Sequence, residues 1–301
     1  MTSASATPIN GVRRLNSCEL FPHLSVPGEA GLPMLLVSNA HARAVIALQG
    51  AQVMTFQAAG QREMLWMSPR CVLRAGKAIR GGIPLCLPWF GPGADGKTAH
   101  GFARTQEWAL LSAELQNDGS TRLELGLSSD TPGHALWPHA FAFRLEIIVG
   151  AELTLRLSVE NCSQEPAPLS FAFHTYFAVP DVAKVRVQGL DGASCHDKIS
   201  DARYTQDGPL TLSAHTDRIY FDVPPTQVLE SEAGTIAIES DARCAVVWNA
   251  WEKSKDIADI GEGQYHGYLC VERGEVAERA RVLAAREIYR TWMTLGTGDG
   301  A

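Results

Sequence analysis

The sequence predicts a mainly-β protein, a large antiparallel β-sandwich, and three observations carry that expectation. Successive runs alternate apolar and polar residues with a period of two, the signature of strands with one buried face. Short turns containing glycine separate them. The strand–helix alternation of a doubly wound fold is missing, as are a Gly-x-Gly-x-x-Gly and a P-loop. No composition break, repeat or low-complexity block divides the 301 residues. One domain over residues 1–301 is therefore expected, with 1–14 and 296–301 loosely ordered.

Taken in order, Thr2–Ile9 is small and polar and is expected to be loosely attached. From Leu32 to Phe56 the apolar residues Met34, Leu36, Val45, Ile46, Leu48 and Val53 recur with Thr55, which reads as several strands. Glu63–Ser68 is a short apolar piece that ends at Pro69. Leu123, Leu125 and Leu127 alternate with Glu124 and Gly126. Phe141, Phe143, Leu145, Ile147 and Val149 form a second alternating run, and Leu153, Leu155, Leu157 and Val159 a third. Gly150 and Ala151 lie between them, so the last two runs predict an antiparallel hairpin. Asn161–Pro168 reads as a loop. Val185 and Val187, Thr235–Ile238 and Ala245–Trp248 continue the strand pattern. Glu275–Arg286 is compatible with a helix, Glu287–Leu295 reads as a final strand, and Gly296–Ala301 as a frayed tail.

A formal net charge of −7 argues against a nucleic-acid surface. No run of about 18 apolar residues offers a membrane span, and Met1–Arg14 lacks the pattern of a secretion signal. Seven scattered cysteines with no Cys-x-x-Cys fit a cytoplasmic protein with reduced thiols. Cys86 and Cys270, in apolar runs, read as small core residues. One segment departs from the acidic average. Between Met64 and Gln106 stand Arg70, Arg74, Lys77, Arg80, Lys97 and Arg104 against the single acid Asp95. A local positive field of this kind suits a small anion such as phosphate.

The most unusual stretch lies inside that segment. Ile-Arg-Gly-Gly-Ile-Pro-Leu-Cys-Leu-Pro-Trp-Phe-Gly-Pro begins at Ile79, and His100-Gly-Phe-Ala-Arg104 follows a polar turn. Two glycines after Arg80 allow close backbone approach, and Pro84, Pro88 and Pro92 forbid a helix. The apolar run Ile83–Phe90 does not fit an exposed loop. Further on, His174 sits in Phe-Ala-Phe-His-Thr-Tyr-Phe, where a lone histidine is more often a core residue than a catalyst. Asp217 lies in Thr-Asp-Arg-Ile-Tyr, which by itself reads as a solvated pair. Trp248-Asn249-Ala250-Trp251 puts two indoles around an amide, suited to a sugar ring and equally to packing. Glu272 closes an apolar strand, where burial disfavours its charge. Metal ligands at zinc spacing and a Gly-x-Ser-x-Gly are both missing.

Six motifs occur in one order: Ile-Arg-Gly-Gly-Ile-Pro…Pro-Trp-Phe-Gly, His-Gly-Phe-Ala-Arg, Phe-His-Thr-Tyr-Phe, Asp-Arg-Ile-Tyr, Trp-Asn-x-Trp and Cys-Val-Glu. From about Leu15 to Leu295 the chain thereby resembles the glucose-6-phosphate 1-epimerase branch of the aldose 1-epimerase superfamily. The resemblance implies a sandwich of the galactose-mutarotase type that interconverts sugar anomers without a cofactor or a metal. It implies His174 as general acid and Glu272 as general base. Asp217 and His100 become substrate-binding residues, and Arg80 and Arg104 the arginines of the phosphate branch; Asn249 and Trp251 are read as substrate-binding from the indole–amide arrangement itself. Three positions depart from the pattern: Ala99 where some relatives carry Gln, Ala250 where Pro is frequent, and Arg273 where Pro is common. Arg273 would lower the Glu272 pKa if it approached.

Changing an anomer requires opening a cyclic hemiacetal, with a base at the C1 hydroxyl and an acid at the ring oxygen. The expectation is a partly desolvated Glu272, and a His174 whose charged form is supported by a carboxylate such as Asp217. The partner expected is a small phosphosugar, with neither nucleic acid nor membrane, acted on by a monomer. A mutarotase for free aldoses and a non-catalytic sugar-binding or regulatory protein are the alternatives.

Overall fold

The computed structural model describes residues 11–93, 96, 98–130 and 135–298. The expectations for Thr2–Ile9, Asp95, Lys97 and 299–301 lie outside these residues. Two large antiparallel sheets face each other. The nine-stranded sheet runs, in spatial order, Leu210–Thr211, Arg186–Gln188, Thr226–Ser231, Gly234–Ser240, Ile288–Gly298, Leu153–Asn161, Phe141–Val149, Thr121–Ser128 and Ala109–Leu115. The eight-stranded sheet runs Ala202–Thr205, Ser194–Asp197, Thr216–Phe221, Cys244–Asn249, Tyr268–Glu275, Phe171–Phe173 and Leu85–Cys86, with Tyr176–Ala178 also paired to Tyr268–Glu275. A four-stranded sheet from Val12–Asn16, Pro33–Ser38, Ala42–Ala47 and Gln52–Ala58 packs beside them.

The period-two runs explain why the two large sheets associate. In the hairpin, Val149 pairs with Leu153 and Phe141 with Asn161, so Phe143, Leu145, Ile147, Leu155 and Leu157 all face inward. They join Phe171, Phe173, Val247, Leu269 and Val271 from the other sheet in one apolar cluster. Each such side chain, fully buried, favours the folded state by roughly 1.5–3 kcal/mol before entropy is counted. The inner face of the eight-stranded sheet is thus committed to the core, and only its other face is available for chemistry.

Several local expectations are corrected. Residues 11–14 are ordered, because Val12–Asn16 pairs with Pro33–Ser38 along its whole length. The final strand extends to Gly298, held by Thr235 and Ile236 of its neighbour. Glu275–Arg286 is not a helix: a 3-10 turn at Ala277–Arg279 leads into Arg281–Leu283. That strand pairs with Ala167–Leu169, where a loop was expected. Leu283 is buried while Val282 is 69% exposed, and this alternation belongs to a strand, not to an apolar helical stripe. All seven cysteines are free, and Cys86 and Cys270 are fully buried. Among the described residues, no helix is long and apolar enough to cross a membrane.

Candidate active site

The site lies on the outward face of the eight-stranded sheet, and strand register builds it. Phe173 pairs with Arg273 and Tyr176 with Cys270. Carrying the same register through puts His174 opposite Glu272. Val246 flanks Glu272 on its other side. In the adjacent row Asp217 pairs with Trp248, and Trp248 with Cys270. Directly opposed side chains on one sheet face are near neighbours. His174 Nε2 accordingly lies 3.3 Å from Glu272 Oε1.

The Ile79–Arg104 stretch fixes the histidine from beyond the sheet edge. The His174 N–H donates to the Pro84 carbonyl at 3.0 Å, and the Tyr176 N–H to that of Gly82 at 2.9 Å. Gly82 permits this only because it lacks a side chain. Its φ is +62°, and a Cβ there would stand 2.2 Å from the Val53 carbonyl oxygen. The Tyr176 ring stacks on His174, with centroids 4.9 Å apart and planes 12° from parallel. His100 approaches from the other side, its ring edge-on to His174 at 5.7 Å. The Gly91 N–H donates to His100 Nδ1 at 3.3 Å, which leaves the ring proton on Nε2.

Burial governs the electrostatics. The His174 side chain is 10% exposed and that of Glu272 1%. Desolvation pushes Glu272 well above the usual carboxylate range; the Asp217 charge adds to this, and Lys198 and Arg104 oppose it. Desolvation drives His174 well below its ordinary value, with His100, Arg104 and Arg80 acting in the same direction. His100 is pushed down to about 3, first by burial and then by Arg104, Lys198 and Arg80. Both members of the pair therefore resist charge, and across 3.3 Å they hold one proton between them. Glu272 Oε2 and His174 Nδ1 are buried without a hydrogen-bond partner.

This arrangement changes two expectations. Among the described residues no carboxylate other than Glu272 pairs with His174, and Asp217 is tied to Lys198 Nζ at 3.0 Å. Arg273 does not approach Glu272 either. It points to the core side, fully buried, and donates to the carbonyls of Pro225 and Ala242 and to Gln227 Oε1. An Arg273→Met protein is expected to lose roughly 1–3 kcal/mol for each acceptor left unpaired. Denaturant midpoints check the loss, and an NMR titration of Glu272 is expected to stay where it is.

The arginines have unequal roles. Arg80 donates through Nε to Asp259 Oδ1 at 3.2 Å and through Nη1 to the Tyr176 hydroxyl at 2.9 Å, and its Nη2 is 3.1 Å from the same carboxylate oxygen. Its charge is already balanced. Arg104 donates from Nη2 to the Ala99 carbonyl at 2.8 Å, and its Nε is buried and unpartnered. Among the described residues no carboxylate pairs with Arg104.

Two further residues are placed away from the pair. Asn249 is fully buried and donates to the Tyr265 and Tyr268 carbonyls at 3.0 and 2.8 Å, while its Oδ1 accepts the Trp251 N–H at 2.8 Å. It shapes the chain behind the site, buried and with both amide hydrogens already donated. Trp251 packs on Tyr265, with centroids 5.0 Å apart. The indole beside the pair is Trp248, 6.2 Å from the His174 ring. Sequence reasoning missed Tyr176, Lys198 and Asp259 as site residues, and left open which indole of Trp248 and Trp251 faces the site. Two-residue spacing from His174 on a strand singles out Tyr176, whereas Asp259 lies in an irregular segment and carries no such signal.

The pair also sets a dependence of stability on pH. Glu272 has a raised folded pKa, so its contribution is complete below the unfolded value, about 4.3, and is lost as pH rises through the folded one. His174 has a lowered folded pKa, so its contribution is complete above about 6.5 and is lost as pH falls. Between those values the two slopes oppose each other, and comparison with a Glu272 variant isolates the Glu272 slope. Glu272→Gln is therefore expected to gain in denaturant midpoint relative to the unmodified protein as pH rises from about 4.3 through the folded value of Glu272. A difference that stays constant with pH would contradict the assignment.

An antiparallel sandwich bearing a buried carboxyl–imidazole pair on one open sheet face defines the chain as a β-sandwich protein with an acid–base site. The chain belongs to the aldose 1-epimerase family, whose model matches residues 33–296. An Escherichia coli (strain K12) protein is 37% identical over 259 residues, covering 83% of this chain and 86% of its own length. A Cenchrus ciliaris protein is 33% identical over 261 residues, covering 82% and 79%. Both carry the description "Putative glucose-6-phosphate 1-epimerase". A Salmonella typhimurium crystal structure described as a "putative mutarotase" superposes with a TM-score of 0.85 at 28% identity, covering 96% of this chain and 94% of that one.

Proposed function

We propose that the protein interconverts the α and β anomers of a hexose 6-phosphate of the glucose 6-phosphate class. The observation that carries this reading is the cross-strand contact of Glu272 with His174 at 3.3 Å. The two oxygens of a hemiacetal share one carbon, so the base for one and the acid for the other must stand side by side. When the shared proton sits on His174, Glu272 takes the proton of the C1 hydroxyl as His174 delivers its proton to the ring oxygen, and the C1–O bond to that oxygen breaks. The aldehyde turns about C1–C2. On closure Glu272 returns its proton to the carbonyl oxygen while His174 takes the proton of the attacking C5 hydroxyl. The pair ends each turnover with its protons restored, and no outside donor is consumed. Trp248 offers an indole beside the ring, and Asp217 with Lys198 offers hydrogen bonds to hydroxyls at the same end. Arg104, unbalanced by any described carboxylate, supports the choice of a phosphorylated hexose over a free one.

Polarimetry of freshly dissolved α-glucose 6-phosphate tests the reading. The protein is expected to speed the approach to the equilibrium rotation in proportion to its concentration, and more for the phosphate ester than for glucose. A rate equal to that of buffer would refute it.

A further inference from the structure

The nine-stranded sheet carries a second concave polar surface, on the face turned away from the core. A cavity of about 390 Å³ lies there, lined among others by Arg144, Arg156, Ser158, Arg290 and Trp292. Register arranges these residues in two adjacent rows. Arg144 is opposite Ser158, and Ser158 opposite Arg290. Next to them Glu146 is opposite Arg156, and Arg156 opposite Trp292.

One guanidinium in this tray is left without a carboxylate partner. Arg122 and Arg156 are held by Glu146, and Arg144 donates to Glu124 at 3.0 Å. Asp241, on the rim, accepts the Thr291 hydroxyl at 2.7 Å and the Trp292 N–H at 2.9 Å through one oxygen. Four arginines line the cavity; Glu114 and Glu124 join Glu146 around Arg122, and Arg290 is the one that no described carboxylate engages. The Trp292 backbone is held at both ends, since its carbonyl also accepts the Ser240 hydroxyl at 2.5 Å. Its half-buried indole stands two residues from Arg290 on the same strand face.

We infer that this tray is a second binding site, on the sheet opposite the catalytic face, for a phosphate monoester of a sugar. Neighbouring strands stand about 4.8 Å apart, so Arg144 and Arg290 flank Ser158 from both sides. Two guanidinium forks and a hydroxyl suit the oxygens of one phosphate, and a fork holds such a group bidentately. The indole one row away receives the apolar face of a sugar ring. The inference stands on the outer sheet alone and does not depend on the catalytic reading.

Isothermal titration calorimetry with methyl α-glucopyranoside 6-phosphate tests it, because the blocked C1 cannot open. The unmodified protein is expected to bind two molecules per chain. Arg290→Ala and Trp292→Ala are each expected to leave one, with turnover of glucose 6-phosphate unchanged as the check on folding. Arg104→Ala is expected to remove the other site. Inorganic phosphate should compete at the outer site in the unmodified protein and not in Arg290→Ala. Loss of a site in Arg290→Ala with none lost in Arg104→Ala upholds the outer site and counts against the catalytic reading. A stoichiometry left unchanged by both Arg290→Ala and Trp292→Ala overturns the outer site, as does a single site that disappears in Arg104→Ala.

Discussion

Glu272→Gln is expected to lower catalysed anomer exchange by about 10²–10⁴-fold, the span typical of a positioned general base. The substitution keeps size and shape in a site that is 1% exposed, so the loss does not arise from a cavity. An amide cannot accept the C1 hydroxyl proton, and it leaves His174 without the partner that shares its proton at 3.3 Å. The two residues act as a unit, so the double variant with His174→Asn is expected to be little slower than either single one. Polarimetric kcat values for the three proteins check both statements. Turnover near that of the unmodified protein in Glu272→Gln would remove the base.

The second large effect is expected at Arg104. Replacing it with alanine should reduce kcat/KM for hexose 6-phosphate by about 10- to 150-fold, the equivalent of roughly 1.5–3 kcal/mol for a hydrogen bond to a charged group. Free hexose should be almost unaffected, since the lost contact is to phosphate. Arg80→Ala should behave differently. That residue holds the Tyr176 hydroxyl at 2.9 Å, and Tyr176 stacks on His174, so its removal disturbs the catalytic ring with either substrate. Ratios of kcat/KM for phosphorylated and free hexose in the two variants separate an arginine that binds phosphate from one that supports the site. Equal losses on both substrates in Arg104→Ala would refute the phosphate assignment.

Much of this arrangement was legible in the sequence, and the limits have physical causes. Alternation in Phe141–Val149 and Leu153–Asn161 gives both the hairpin and its buried face, because a period of two survives any tertiary context that buries one side. Glu272 could be picked out because a carboxylate inside an apolar strand is costly unless it has work to do. What the sequence hides is sidedness and long-range pairing. Asn249 and Trp248 are neighbours in one motif, yet strand alternation sends the amide inward and the indole to the site. Arg80 is balanced by Asp259, 179 residues away, so its charge looked free in the sequence and is not. The expected support for a charged His174 failed for the same reason, since Asp217 is taken by Lys198, a residue no motif had singled out. The helix expected after Gly274 failed because pairing with Ala167–Leu169 outweighs local propensity.

Two-dimensional exchange NMR on glucose 6-phosphate at anomeric equilibrium in D₂O tests the acid–base pair most directly. Cross-peaks between the α and β C1 protons should grow with protein concentration while the protons on C1 and C2 remain undeuterated, because ring opening breaks only a C–O bond. Anomer exchange no faster than in buffer, or deuterium entering at C2, would mean that Glu272 and His174 do not open a hemiacetal.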